Sequence, residues 1–199
     1  MMQGTASGIF TRILVVSMMA SLMGACADVA VTGAQAAYNH KSLQKSINDH
    51  YITMQATHQL NRPRFKTTNI DIATLNGEVL LTGQAPQEWQ KQEAEQRISA
   101  INGIKHIYNR ISIASPSSSL VRASDAWLTT KVKSKLIASN DLDATRIKVV
   151  TERGTVYLMG TLLPEEAEAA VDIASNTDGV TSVVKMFSYM KITKKLDEA

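Results

Sequence analysis

Two stretches of this chain repeat one pattern, and that repeat limits the possible folds more than any compositional figure. "NIDIATLNGEVLLTG" (69–83) aligns without a gap with "RIKVVTERGTVYLMG" (146–160). Ile70 meets Ile147, Gly77 meets Gly154, Val79 meets Val156 and Gly83 meets Gly160. Further on, "INGIKHIYNRISI" (101–113) aligns with "TDGVTSVVKMFSY" (177–189), one residue having been lost in between. Self-similarity at a fixed spacing is the mark of one structural unit used twice. A chain of 199 residues has room for two small domains and not for a large enzyme.

Each copy reads as αββαβ. A helical stretch opens it, over 42–58 and over 124–138. A hairpin follows. Asn76-Gly77 is a strong two-residue turn because both residues tolerate positive φ, and Arg153-Gly154 holds the aligned place. Gly83 and Gly160 are expected to end the second strands. Pro86 and Pro164 open the next helix, where the first turn needs no backbone donor. Glu165 and Glu166 suit the positive end of that helix. "IKHIYNRISI" and "VTSVVKMFSYM" supply a third strand. The predicted class is α+β, with a three-stranded mixed sheet and two helices on one face in each unit. With 44% hydrophobic residues, the chain can fill such cores.

The N-terminal end carries a different signal. "ILVVSMMASLM" (13–23) is an apolar run too short to span a bilayer as a helix, and it reads as a signal-peptide core. It leads into "LMGAC" (22–26), which ends on the single cysteine of the chain, Cys26. One thiol makes no internal disulfide and lacks partners for a zinc site. The stretch resembles the bacterial lipoprotein cleavage motif, in which the cysteine becomes the lipid-modified N-terminus, with palmitate among its acyl chains. Two alternatives stay open. Cys26 can be an ordinary small residue of a signal peptide, or cleavage can fall at "AQA" (34–36) and release a soluble protein. With more than one acyl chain the anchor would be stable, at about 0.8 kcal/mol per buried CH₂. Ala27 in place of Asp after the cysteine resembles the sorting pattern for the outer membrane, with the protein facing the periplasm. The small and polar "ADVAVTGAQAAYN" reads as a tether. The expected layout is a signal peptide over 1–25, a lipid-anchored tether over 26–41, a first domain over 42–113, a linker over 114–119, a second domain over 120–190 and a tail over 191–199.

The pattern G-x-V-x-L-x-G, a helix, then G-[VI]-x-x-[VI]-x-N resembles the BON domain, a module of bacterial envelopes. It stands as "GEVLLTG" with "GIKHIYN" in the first copy and as "GTVYLMG" with "GVTSVVK" in the second. Lys185 takes the place of Asn109, which weakens any role tied to that asparagine. Two such copies behind a lipoprotein motif cover nearly the whole mature chain. The resemblance implies phospholipid interaction, support of outer-membrane integrity and no catalysis.

The stretch "DAWLTTKVKSKL" (125–136) is where such an interaction would lie. At about 100° per residue, Leu128, Val132 and Leu136 share one stripe, the core face. Trp127 lies roughly 140° from it, among Thr130, Lys131 and Ser134, with Lys135 at the border. An indole beside ammonium groups suits a membrane interface with anionic phosphates. The candidate phospholipid set is Leu120, Arg122, Trp127, Leu128, Thr130, Lys131, Val132, Ser134 and Lys135. Leu120 and Val121 either insert as the helix docks or pack between the domains. The opening helix of the first copy has Leu43, Ile47 and Tyr51 on one side and no Trp-Lys cluster. Trp89 reads as packing, with the space between the domains as one option for it.

Other classes find little support. A net charge of +3 is too small to indicate nucleic acid. His40, His50, His58 and His106 are scattered, so neither a metal nor another cofactor is expected. No nucleophile elbow, zincin motif or phosphate loop appears, and an enzyme is not expected. "DLD" (141–143) reads as a turn in which Asp bonds backbone. The expected partners are anionic phospholipids such as phosphatidylglycerol and cardiolipin. The alternative is an adaptor docking onto the outer-membrane protein assembly machinery, and a third is a soluble periplasmic stress protein with Cys26 unmodified.

Overall fold

The computed structural model describes residues 33–190, with side chains over 43–190. The expected signal peptide, Cys26, the start of the tether, the His40 side chain and the 191–199 tail lie outside the described residues. From Leu43 onward the described residues form one compact unit, which holds both repeats apart from the first ten residues of the opening helix.

The first repeat comprises α1 (Gly33–Leu60), β1 (Asn69–Leu75), β2 (Glu78–Ala85), α2 (Glu88–Ser99), β3 (His106–Asn109) and β4 (Ser112–Ile113). The second comprises α3 (Ser119–Ala138), β5 (Ile147–Glu152), β6 (Thr155–Leu162), α4 (Pro164–Ser175) and β7 (Ser182–Tyr189). In both sheets the middle strand pairs antiparallel with the strand before it and parallel with the strand after it: β1-β2-β3 and β5-β6-β7. This is the mixed-sheet α+β architecture expected from the repeat.

The hairpin turns form as the residues dictate. Asn76 and Gly77 have φ of 55° and 81°, and Arg153 and Gly154 have 50° and 76°, a left-handed pair in each copy. Each turn is held from beneath by one carboxylate. Asp49 of α1 accepts from the amides of Asn76 (2.7 Å) and Gly77 (2.8 Å). Asp125 of α3 accepts from those of Arg153 (2.8 Å) and Gly154 (2.9 Å). The two aspartates are therefore equivalent, and they lock each opening helix to its own hairpin.

Several element ends differ from the sequence reading. α1 begins at Gly33, inside the stretch read as tether. α3 begins at Ser119, ahead of 124, because Ser118 caps it and accepts from the Val121 amide at 3.3 Å. β2 and β6 continue past Gly83 and Gly160 to Ala85 and Leu162. Pro164 does open α4, but Pro86 stands before α2, which starts at Glu88 behind Gln87. The third strand of the first repeat is broken into β3 and β4. Asn109 makes the break: its Oδ1 accepts from the Ile111 amide, and its Nδ2 donates to the Lys91 carbonyl and to Glu95 on α2. With Lys185 at that place, β7 runs unbroken.

Alternate residues of the central strands face opposite ways. Val79 and Leu81 pack under α1 and α2 with Ile52, Ala56, Ala94 and Ile98. Val156 and Leu158 pack under α3 and α4 with Leu128, Val132, Leu136 and Ala170. Their neighbours in sequence form a third core. Leu80 and Ala73 of the first sheet meet Tyr157, Met159 and Met186 of the second. Each sheet is thus covered by helices on one face and by the other sheet on the second. Strands covered on both faces read as unbroken apolar runs, which is why "VLL" and "VYLM" do not alternate.

Polar groups stitch this seam. Gln84, fully buried, donates from Nε2 to Glu152 and accepts at Oε1 from the Ser117 amide at 2.8 Å. The inter-repeat linker is thereby pinned to the seam. Lys148 Nζ donates to the Thr74 carbonyl at 3.1 Å, and Ser188 donates to Glu78 at 3.0 Å. Burial pushes the Glu152 carboxyl up, with the Gln84 bond opposing and the charges of Asp125 and Asp71 adding to the shift. Burial lowers the Lys148 ammonium, with Asp49 opposing and Lys133 adding.

Candidate functional site

The inner face of α3 is fully committed. Leu128, Val132 and Leu136 fill the core, Asp125 holds the hairpin, and Thr129 bonds Thr151 at 2.8 Å. Leu128 and Val132, counted from sequence among the lipid-contacting residues, are 4% and 0% exposed. They anchor the helix and cannot touch a ligand, because they belong to its core stripe. Leu120, Arg122, Trp127, Thr130, Ser134 and Lys135 stand exposed, and Lys131 is half-buried.

Trp127 is 62% exposed, and the Lys131 ammonium lies 5.0 Å from its ring centroid. Cations at that distance are attracted to the indole face. Lys131 also pairs with Asp178 at 3.2 Å, and Lys135 donates to the Asn176 carbonyl at 3.1 Å. The loop after α4 thus holds both ammonium groups, and that of Lys131 lies beside the Trp. The helical period parts the three lysines: Lys133 takes no place in this cluster and adds its charge near Lys148 at the seam. About two turns earlier, Leu120 is 79% exposed and Val121 37%, and neither belongs to the core between the two sheets. Arg122 folds back to donate to the Ser117 carbonyl at 2.5 Å. The arrangement is an exposed indole and an exposed leucine on one helix, with one ammonium over the indole and a second further along the helix.

Asp178 is the residue that sequence reasoning missed. It lies 47 positions from Lys131, and only the fold brings them together. Trp89 also departs from the reading. It is 44% exposed and away from the inter-repeat core, with the Arg64 guanidinium 5.2 Å from its ring. Glu93 bridges Arg64 (3.2 Å) and Arg97 (2.6 Å) beside it. Arg64 comes from the turn before β1, so geometry within α2 alone gave no hint of it.

Among the described residues no group of three His, Cys, Asp or Glu side chains could hold a metal, and no helix is long and apolar enough to cross a membrane.

Two αββαβ units, each with its hairpin carboxylate, define a tandem module, and the comparisons give its family. The BON domain matches residues 48–115 and 124–191, and the chain belongs to the BON-domain family. It is 38% identical over 122 residues to the 21 kDa hemolysin of Actinobacillus pleuropneumoniae and 37% identical over 121 residues to the outer membrane lipoprotein DolP of Haemophilus influenzae. It is 28% identical over 127 residues to the osmotically-inducible protein Y of Escherichia coli. The matches cover 61%, 61% and 62% of this chain and span 63% of the length of each relative.

Proposed function

We propose that this protein is a non-enzymatic outer-membrane lipoprotein that binds anionic phospholipid through the outer face of α3 and helps maintain outer-membrane integrity. Its signal peptide over 1–25 is removed, Cys26 is acylated, and the two BON domains face the periplasm. The similarity to a protein named as an outer membrane lipoprotein supports the location. The observation that carries the binding site is Trp127, 62% exposed on a rigid helix with an ammonium over its ring. An indole rests at headgroup depth, and each neighbouring Lys adds about 1 kcal/mol at an anionic surface. Phosphatidylglycerol and cardiolipin are the lipids that fit.

The test is vesicle binding by the Trp127→Glu protein. The side chain is exposed, so the fold should survive, while affinity for phosphatidylglycerol vesicles should fall by at least about tenfold. Unchanged binding with an intact circular dichroism spectrum would remove α3 from the reading.

The exposed Trp89 with Arg64 and Arg97 favours a second reading, an adaptor for the outer-membrane protein assembly machinery. Trp and Arg are the side chains that most often anchor protein interfaces. Crosslinking from this patch should then trap a protein even when Trp127 is replaced.

A further inference from the structure

The opening helix of the first repeat has an outer face that the α3 site does not use. Leu43, Ile47, Tyr51 and Met54 form one stripe on α1, and they are 59%, 69%, 44% and 53% exposed. The core contacts of the same helix, Ile52 and Ala56, point the other way. Four large apolar side chains in one exposed row differ from the scattered single residues of an ordinary surface. Aligning the two hairpin aspartates, Asp49 with Asp125, pairs Tyr51 with Trp127 in sequence. Each repeat thus shows an amphipathic aromatic ring, two positions after its hairpin carboxylate, on the outside of its first helix.

The surroundings differ. Trp127 has Lys131 over its ring. No Lys or Arg between 43 and 60 falls on the α1 stripe, since Lys45 lies roughly opposite it by the helical period. His50 and His58 border the stripe, so the face carries no fixed cation of the kind Lys131 supplies on α3. What should cover it follows from the chain before it. Leu43 comes 17 residues after Cys26, and the last ten of these steps are helical, so it lies at most about 40 Å along the chain from that residue. If Cys26 is held in a bilayer, the stripe is kept at high effective concentration beside that same bilayer.

We propose that the Leu43–Ile47–Tyr51–Met54 face of α1 is a second membrane contact, which inserts into the acyl–glycerol boundary without regard to headgroup charge. The proposal rests on the lipoprotein reading above. It makes the protein stand on two feet, one apolar and unselective, the other selective for anionic lipid.

Acylated full-length protein, checked by mass spectrometry at Cys26, would be placed in vesicles with brominated acyl chains. One protein carries Tyr51→Trp with Trp89→Phe and Trp127→Phe, and the other carries Trp89→Phe alone and reports on Trp127. The indole at position 51 should lose about half its emission in purely zwitterionic vesicles and as much in anionic ones. Adding Ile47→Asp should restore most of that emission. Trp127 should be quenched only in anionic vesicles. No quenching at position 51 in acylated protein overturns this inference and leaves the α3 reading standing. Quenching at 51 without quenching at Trp127 upholds it and overturns the α3 reading. An emission shift at 51 that follows protein concentration and not lipid assigns the stripe to a second copy and overturns the proposal. Unmodified Cys26 overturns the anchor and this inference with it.

Discussion

The two repeats share a scaffold and differ where they meet solvent. Both lock the first helix to the hairpin through one aspartate, and both bury a valine-leucine strand under two helices. Outside that scaffold the first repeat shows an apolar stripe on α1 without Lys or Arg, and the second shows an indole with a lysine over its ring on α3. Asn109 breaks the last strand of the first repeat and ties it to α2, whereas Lys185 leaves β7 whole. Duplication thus kept what the fold needs and freed the outer helix faces to diverge.

The strongest challenge to that comparison is to part the repeats. Leu80→Glu puts a charge into the core between the sheets, where Leu80 is fully buried. It should cost about 4 kcal/mol and split one unfolding transition into two, as calorimetry would show. A single transition near the original midpoint would mean that the seam contributes little.

Next come the equivalent aspartates. Asp125→Ala leaves two turn amides without their acceptor and should cost about 3 kcal/mol in urea denaturation. Asp49→Ala should cost less, since Asp49 is only half-buried and water can replace it. Equal losses would mean that exposure does not separate the two turns.

A smaller effect sharpens the α3 face. Asp178→Asn removes the carboxylate that pairs with Lys131. Binding to anionic vesicles should tighten by up to about fivefold at low salt, the equivalent of about one ammonium released to the lipid. Weaker binding would show that Asp178 is needed to position the lysine.

The least effect is at the seam. The Glu152 carboxyl is pushed up by burial, so the folded protein holds its proton more tightly than the unfolded chain does. Its contribution is fully present below the unfolded pKa and is lost as pH rises through the folded one. Glu152→Gln should therefore flatten that pH dependence and raise stability at neutral pH by about 1 kcal/mol or less. A slope unchanged by the substitution would locate the effect elsewhere.

The repeat, the αββαβ order, the turns at Asn76-Gly77 and Arg153-Gly154, and the separation of Trp127 from the Leu128–Val132–Leu136 stripe were all legible in sequence. These depend on neighbours a few residues apart: backbone tolerance of positive φ, and a helical period that turns each side chain by a known angle. The tertiary structure alone decided the rest. It placed Leu80 and Tyr157 between two sheets, set Asp178 against Lys131, laid Arg64 on Trp89 and gave Asp49 and Asp125 their matching tasks. Each of these joins residues from about 25 to nearly 80 positions apart. Local propensity carries no information about such pairs, since what brings them together is the packing of one element on another.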